Sequence, residues 1–324
     1  MIIEDKVIDL WSKIGSRATF GMCLLEMQKE FEKIQVVTSD VSTSAGLDRF
    51  KKMYPEKFTD VGISEQNLIG VATGLSEAGF NVITTTFSPF QVLRCCEQIK
   101  NNLGYMKSKL TMVGLASGLV LGTLGFTHAS IEEIGAIRSI PNINIISPAD
   151  SLETVKSIHA SLNQNKSTYI RLTGGQPNPK VYNHDYNFQI GKAIKLRDGD
   201  QIAVLASGAR VKDCLDACDN LYKNKNKKIA VYNFHTIKPI DEEEILLISK
   251  KYKYILTVEE HNIIGGLGSA VAEVLSSIEN NNSKLIRLGI NDKYPSGAEY
   301  NTLINLLNLD AESLYRRFIS ILNI

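Results

Sequence analysis

The sequence predicts an α/β protein made of two α/β layer sandwiches, each a mostly parallel sheet covered by helices. Three observations predict it. Short apolar runs of strand length alternate with longer stretches of helical periodicity along most of the chain. The alternation stops between Thr173 and Gln189, where Gly174-Gly-Gln-Pro-Asn-Pro179 and Tyr182-Asn-His-Asp-Tyr-Asn187 are polar, turn-rich and aromatic, and then resumes. At 324 residues the chain is long enough to bury two separate cores. The expected organisation is a first domain over 1–175, a linker over 176–190 and a second domain over 191–324.

Each element has a local reason. Helical periodicity runs from about Lys6 to Phe31, and Gln35-Val-Val-Thr38 reads as a strand ending in polar Ser39-Asp40. A helix opens at Glu65 and runs to Ala78, with Gly79 as its stop and Val82–Thr86 as the next strand. A helix from Phe90 to about Gly104 leads to a strand at Leu110–Leu115. Then follow a short helix 131–138, a strand 143–146, a helix 151–162 and a strand 169–172. The second unit repeats the alternation with strands 201–206, 228–232, 254–258 and 284–288, helices 211–222, 242–250 and 268–277, and two C-terminal helices. Ligands of such sheets gather beyond the carboxyl ends of the strands.

Composition narrows the function class. With 36 basic and 35 acidic residues the charge is balanced, which points away from nucleic acid and from an anionic membrane as partners. The five cysteines, Cys23, Cys95, Cys96, Cys214 and Cys218, form no Cys-x-x-Cys pair, so reduced thiols in a cytoplasmic protein are expected, with no metal site. Met1-Ile-Ile-Glu-Asp-Lys does not read as a signal peptide. Residues 110–131 carry no charge and space Gly114, Gly118 and Gly122 as packed membrane helices do. Interspersed Thr, Ser and His favour a buried strand followed by a glycine-rich loop.

The most informative segment is Phe58-Thr-Asp-Val-Gly-Ile-Ser-Glu-Gln-Asn-Leu-Ile-Gly70, which places Glu65 at the mouth of a helix whose early turns hold only apolar, small and amide side chains. Taken alone, a Glu there complements the helix dipole. The segment resembles the pyrimidine-binding domain of transketolase-type thiamine diphosphate enzymes. That resemblance implies that Glu65 contacts the cofactor's aminopyrimidine and promotes the tautomer that activates the thiazolium carbon. Phe90, in Thr86-Phe-Ser-Pro-Phe90, matches the aromatic that stacks on the aminopyrimidine, and Asp40 matches a residue near the cofactor. His128 closes Gly122-Thr-Leu-Gly-Phe-Thr-His128, where the family's imidazole faces the reacting carbons. Arg17, Ser44 and Arg171 correspond to the two arginines and the serine that hold the sugar phosphate, a dianion suited to guanidinium forks. In the second domain, Ile237-Lys-Pro-Ile240 and Thr257-Val-Glu-Glu-His-Asn-Ile-Ile-Gly-Gly-Leu-Gly268 resemble the family's C-terminal domain, with Glu259, Glu260 and His261 expected to be architectural.

Departures matter as much. Leu93 and Cys96 stand where further aromatics are usual, and Ala116 and Leu124 stand where a histidine and an acidic residue would read substrate hydroxyls. The family's Gly-Asp-Gly motif with a downstream Asn, which holds magnesium and the diphosphate, has no counterpart, since Asp198-Gly-Asp200 lies in a strand turn. The resemblance therefore implies the C-terminal subunit of a two-component enzyme that moves a two-carbon ketol unit between sugar phosphates. An N-terminal subunit would supply the metal and diphosphate site, around a homodimer core in an α2β2 heterotetramer. The alternatives are the beta subunit of a 2-oxo acid dehydrogenase, a subunit of a synthase joining pyruvate to a triose phosphate, and a non-catalytic regulatory subunit. The Gly-Phe-Thr-His loop and the arginines favour the first reading over the dehydrogenase.

Overall fold

The computed structural model describes residues 3–174, 177–279 and 281–323, so the expected boundary at 175 and 176 and the first two residues of the N-terminal segment lie outside the described residues. The first half of the chain supplies strands β1 (Ile34–Thr38), β2 (Phe58–Asp60), β3 (Asn81–Phe87), β4 (Leu110–Leu115), β5 (Ile143–Ile146) and β6 (Ser167–Arg171). The second supplies β7 (Ile194–Arg197), β8 (Ile202–Ala206), β9 (Ala230–Asn233), β10 (Thr236–Lys238), β11 (Tyr254–Asn262) and β12 (Lys284–Ile290). They form two sheets, ordered β10-β5-β6-β4-β3-β1-β2 and β12-β11-β8-β9-β7. Every pairing is parallel except β10 with β5 and β7 with β9. Both sheets are thus of the expected layered α/β kind.

Buried strands explain the sheet. All six residues of β4 and all five of β6 are buried, as strands covered on both faces must be. The helix Glu65–Glu77 packs on β3 and β1 through Leu68, Ile69 and Ala72, all fully buried. Burial of the two larger side chains stabilises the fold by about 1.5–3 kcal/mol each. Register brings strand ends together: Thr38 lies opposite Thr85 and Phe87 opposite Leu115. The turns leaving β1, β3 and β4 therefore share one edge of the sheet.

Two helices differ from expectation. The first, Asp5–Glu30, is kinked at Gly15, whose φ of 81° is open to glycine and strained for other residues. The expected helix from Phe90 to Gly104 is broken: Ser88–Val92 is helical, a turn follows at Leu93–Cys95, and a further helical turn passes into a π-helix over Ile99–Tyr105. Val92, Cys95, Ile99 and Leu103 are all buried, so the apolar spacing persists through the break and conceals it.

The two halves are joined by more than the linker. β10 adds the second half to the first sheet. Asp150 caps the helix Ser151–Leu162 through the Glu153 amide and also accepts the amides of Val181 and Tyr182. Glu153 accepts from Tyr186 and from Asn233 of β9. Burial raises the Asp150 carboxyl to about 6, partly offset by these amide donors. The described part of the linker is therefore packed structure, with Tyr182 and Tyr186 stacked at 4.1 Å.

Candidate active site

The turn after β1 fixes the start of the Glu65 helix. The Val61 amide donates to the Thr38 carbonyl, Ser39 Oγ donates to the Gly62 carbonyl at 2.6 Å, and the Ser64 amide donates to Ser39 Oγ. One oxygen of Asp60 accepts the amides of both Asp40 and Gly62 at 3.0 Å. Asp40 itself is exposed at φ 54°, a left-handed conformation that Asp tolerates. These bonds place Glu65 in the first helical turn with only 4% of its side chain exposed.

Glu65 is paired. Its Oε2 accepts from Arg94 Nη1 at 2.7 Å, and the Arg94 guanidinium lies 4.2 Å from the centroid of the Phe90 ring. Phe90 in turn meets His128 edge-on, with centroids 5.3 Å apart, and Phe87 at 6.4 Å. The half-buried His128 has Nδ1 at 2.9 Å from Thr127 Oγ1, with its amide held by the Gly125 carbonyl. The structure therefore brings Glu65, Phe90 and His128 into one row, bridged by an arginine that sequence reasoning passed over.

Arg17 and Ser44 meet elsewhere on the same face. They line a cavity of about 410 Å³ with Gly15, Ser16, Thr43, Val120 and Tyr300 among its walls. The kink at Gly15 lets the helix restart at Ser16 on the cavity wall, and the start of a helix favours an anion. Gly21 allows the loop ahead of it to close in, since a Cβ there would lie 2.0 Å from the Gly46 carbonyl oxygen.

Arg171, expected beside Arg17 and Ser44, is not among the residues lining this cavity. Its side chain is 2% exposed, Nε bonds the buried Glu133 carboxylate, and Nη2 donates to the carbonyls of Ser130 and Glu260 at 3.2 and 2.8 Å. A guanidinium that deep in the protein needs a counter-charge more than a ligand. Glu260 continues the network into the second half, accepting from the Leu119 amide and from Tyr300, which also receives a bond from Arg210. Glu259 accepts the amides of Leu267 and Gly268, and burial raises its carboxyl to about 7. Neighbouring His261 is lowered to about 4 by burial.

Two further placements bear on recognition. Ala116 is buried at φ 51° just past β4, while Leu124 is exposed on the glycine-rich loop. Asp198 of the only Gly-Asp-Gly-like string pairs with Lys195 in the turn between β7 and β8. Among the described residues no group of three or more His, Cys, Asp or Glu side chains is arranged to hold a metal ion.

Comparison with known proteins places this geometry. The transketolase pyrimidine binding domain matches residues 12–178, and the transketolase C-terminal domain matches 191–314. The chain belongs to the transketolase family. It is 38% identical over 240 residues to an apulose-4-phosphate transketolase subunit of Actinobacillus succinogenes, covering 74% of this chain and 76% of that one. It is 32% identical over 300 residues to the 6-deoxy-6-sulfo-D-fructose transketolase subunit SqwH of Clostridium sp. (strain MSTE9), covering 93% and 92%. The solved inactive beta4 tetramer of a split gene transketolase superposes with a TM-score of 0.82 at 32% identity, covering 94% of this chain and 96% of that one. Within this transketolase fold, the residues sequence reasoning missed are Asp60, Arg94 and Tyr300. Asp60 stands five residues before Glu65 and could have been flagged as the clamp of its turn, whereas nothing local marks Arg94 or Tyr300.

Proposed function

We propose that this chain is the C-terminal subunit of a two-component transketolase-like enzyme that transfers a two-carbon ketol unit between sugar phosphates. In this reading it is active only with a separate N-terminal subunit that carries the Gly-Asp-Gly motif and its Asn. The carrying observation is the row of Glu65, Phe90 and His128 at the strand ends. The similar subunits of split transketolases support the two-component assignment.

The residues present fit thiamine diphosphate. Glu65 offers a buried carboxylate, Phe90 a flat ring beside it, and the chain offers no counterpart of the magnesium and diphosphate motif, which falls to the partner. When bound, that cofactor supplies the nucleophilic carbon that carries the ketol unit. Glu65 would share a proton with the pyrimidine nitrogen, and its burial makes that hydrogen bond strong. Phe90 would position the ring by stacking, with Asp40 close to the cofactor. His128 would hold or move the proton of the substrate hydroxyl on the reacting carbon. Arg17 and Ser44, with the helix start at Ser16, would hold the phosphate. The assembly we propose is an α2β2 heterotetramer around a homodimer core. Its support is the outer face of the Glu65 helix, where Gln66, Asn67, Gly70 and Gly74 are exposed beside Ile63 at 76% exposure. Five cysteines free of disulfides suit the cytoplasm as its setting.

The test is calorimetry with thiamine diphosphate and magnesium. The chain alone should bind weakly, and tight binding should appear when the N-terminal subunit is added. Micromolar binding by the chain alone would sink the two-component reading. Glu65→Gln should keep fold and association while losing turnover by roughly 2–4 kcal/mol of barrier, and near-normal turnover would clear this carboxylate of the role.

A further inference from the structure

The Arg94 guanidinium makes two contacts at once: a charge-assisted bond to Glu65 Oε2 at 2.7 Å and a stack 4.2 Å from the Phe90 centroid. These are the two contacts that the proposed function asks of Glu65 and Phe90 toward an aminopyrimidine. Both groups are flat, delocalised and able to donate N–H to a carboxylate. They cannot share the same face of one ring. We propose that Arg94 is a displaceable cover of the cofactor seat, holding Glu65 and Phe90 until the pyrimidine takes its place; the inference rests on the function proposed above.

Three features fit a side chain that leaves while its surroundings stay. Arg94 has 44% of its side chain exposed, against 4% for Glu65, so the arginine has a path to water that the carboxylate lacks. Its backbone is fixed at the break after Ser88–Val92, where its amide donates to the Pro89 carbonyl and its own carbonyl accepts from Gln66 Nε2 at 3.2 Å. Only the side chain has to move. While seated, the guanidinium also supplies the counter-charge for Glu65, since a lone carboxylate so deeply buried is costly. The cover would thereby stabilise the free subunit and set a threshold that cofactor binding must exceed.

Thiamine diphosphate and magnesium are titrated calorimetrically into the assembly with the N-terminal subunit, using wild type, Arg94→Ala and Arg94→Lys. Arg94→Ala should bind at least tenfold more tightly, and Arg94→Lys, which can pair with Glu65 but cannot stack as a plane, should fall between. In a structure of the cofactor-loaded wild-type assembly, Arg94 should stand off Phe90 with its bond to Glu65 broken. This last readout holds even if Arg94→Ala fails to fold. Unchanged or weaker binding by a folded Arg94→Ala protein, or a Glu65–Arg94 bond still intact in the loaded assembly, would overturn the cover alone. Failure of the wild-type assembly to bind the cofactor would overturn both the cover and the function on which it rests.

Discussion

If Arg171 is held for the fold and not for substrate, then the sharpest perturbation is to its counter-ion. Glu133→Gln keeps the side-chain shape and one acceptor oxygen but removes the carboxylate bonded to Arg171 Nε. The guanidinium would keep the carbonyls of Ser130 and Glu260, yet at 2% exposure it has no water to replace the lost charge. Removing one partner of a buried pair costs about 3–5 kcal/mol, and the surviving carbonyl bonds place the expectation near the lower end. In a chain of this size about 3 kcal/mol corresponds to a melting shift of roughly 4–5 °C. Replacing both residues, Glu133→Leu with Arg171→Met, removes the charges together and should recover most of the loss, because an apolar pair of similar volume often matches a buried ion pair. Calorimetric melts of the three proteins at neutral pH decide it. A single variant within about 1 kcal/mol of wild type, or a double variant no better than the single, would refute the assignment of Arg171 to the interior network.

The cavity gives a contrasting expectation. Arg17→Ala and Ser44→Ala should leave the melting temperature nearly unchanged and raise KM for a phosphorylated substrate, the arginine by about 1.5–3 kcal/mol of binding; equal effects on an unphosphorylated sugar would remove the phosphate role. Stability should also depend on pH through the second half. Burial lifts Glu259 from 4.5 to about 7, so the folded chain binds a proton that the unfolded chain has released, and the stability this supplies is lost as pH rises across that interval. His261, lowered by burial from 6.5 to about 4, acts oppositely and loses stability as pH falls. Glu259→Gln removes only the first effect, so its melting temperature relative to wild type should climb between pH 4.5 and 7. A difference that stays constant over that range would show that Glu259 does not titrate as described.

What the sequence revealed and what it hid have physical reasons. The Glu65 helix was legible because Leu68, Ile69 and Ala72 repeat at helical spacing and Gly79 ends it at φ 87°. Strands β2 and β10 were not, since three residues are too few to show a period of two. β7 was missed for a related reason: Ile194-Lys-Leu-Arg197 is a short edge strand with a charged residue at every second place. Glu65, Phe90 and His128 were readable as candidates because the motifs around them resemble those of transketolase-type enzymes; taken alone, each side chain has an ordinary structural reading. Arg171 was singled out by the same resemblance, and its buried pairing stayed hidden because its partner Glu133 lies 38 positions away with no local signature. The same distance effect hid Tyr300, which comes from the far end of the chain to the cavity of Arg17.

The pairing of β10 with β5 reaches beyond architecture. Thr236 lies beside Ile146 and Lys238 beside Ile145, and the Lys238 ammonium also bonds the carbonyls of Arg138 and Ile140. A first half expressed without the second would present β5 as a bare hydrophobic margin, since all four of its residues are buried in the whole chain. Such a margin recruits other strands, including those of its own copies. During synthesis the first sheet must therefore wait, one strand short, until more than sixty further residues have left the ribosome. A nascent chain stalled in that interval is the species most open to capture by a chaperone or by its neighbours.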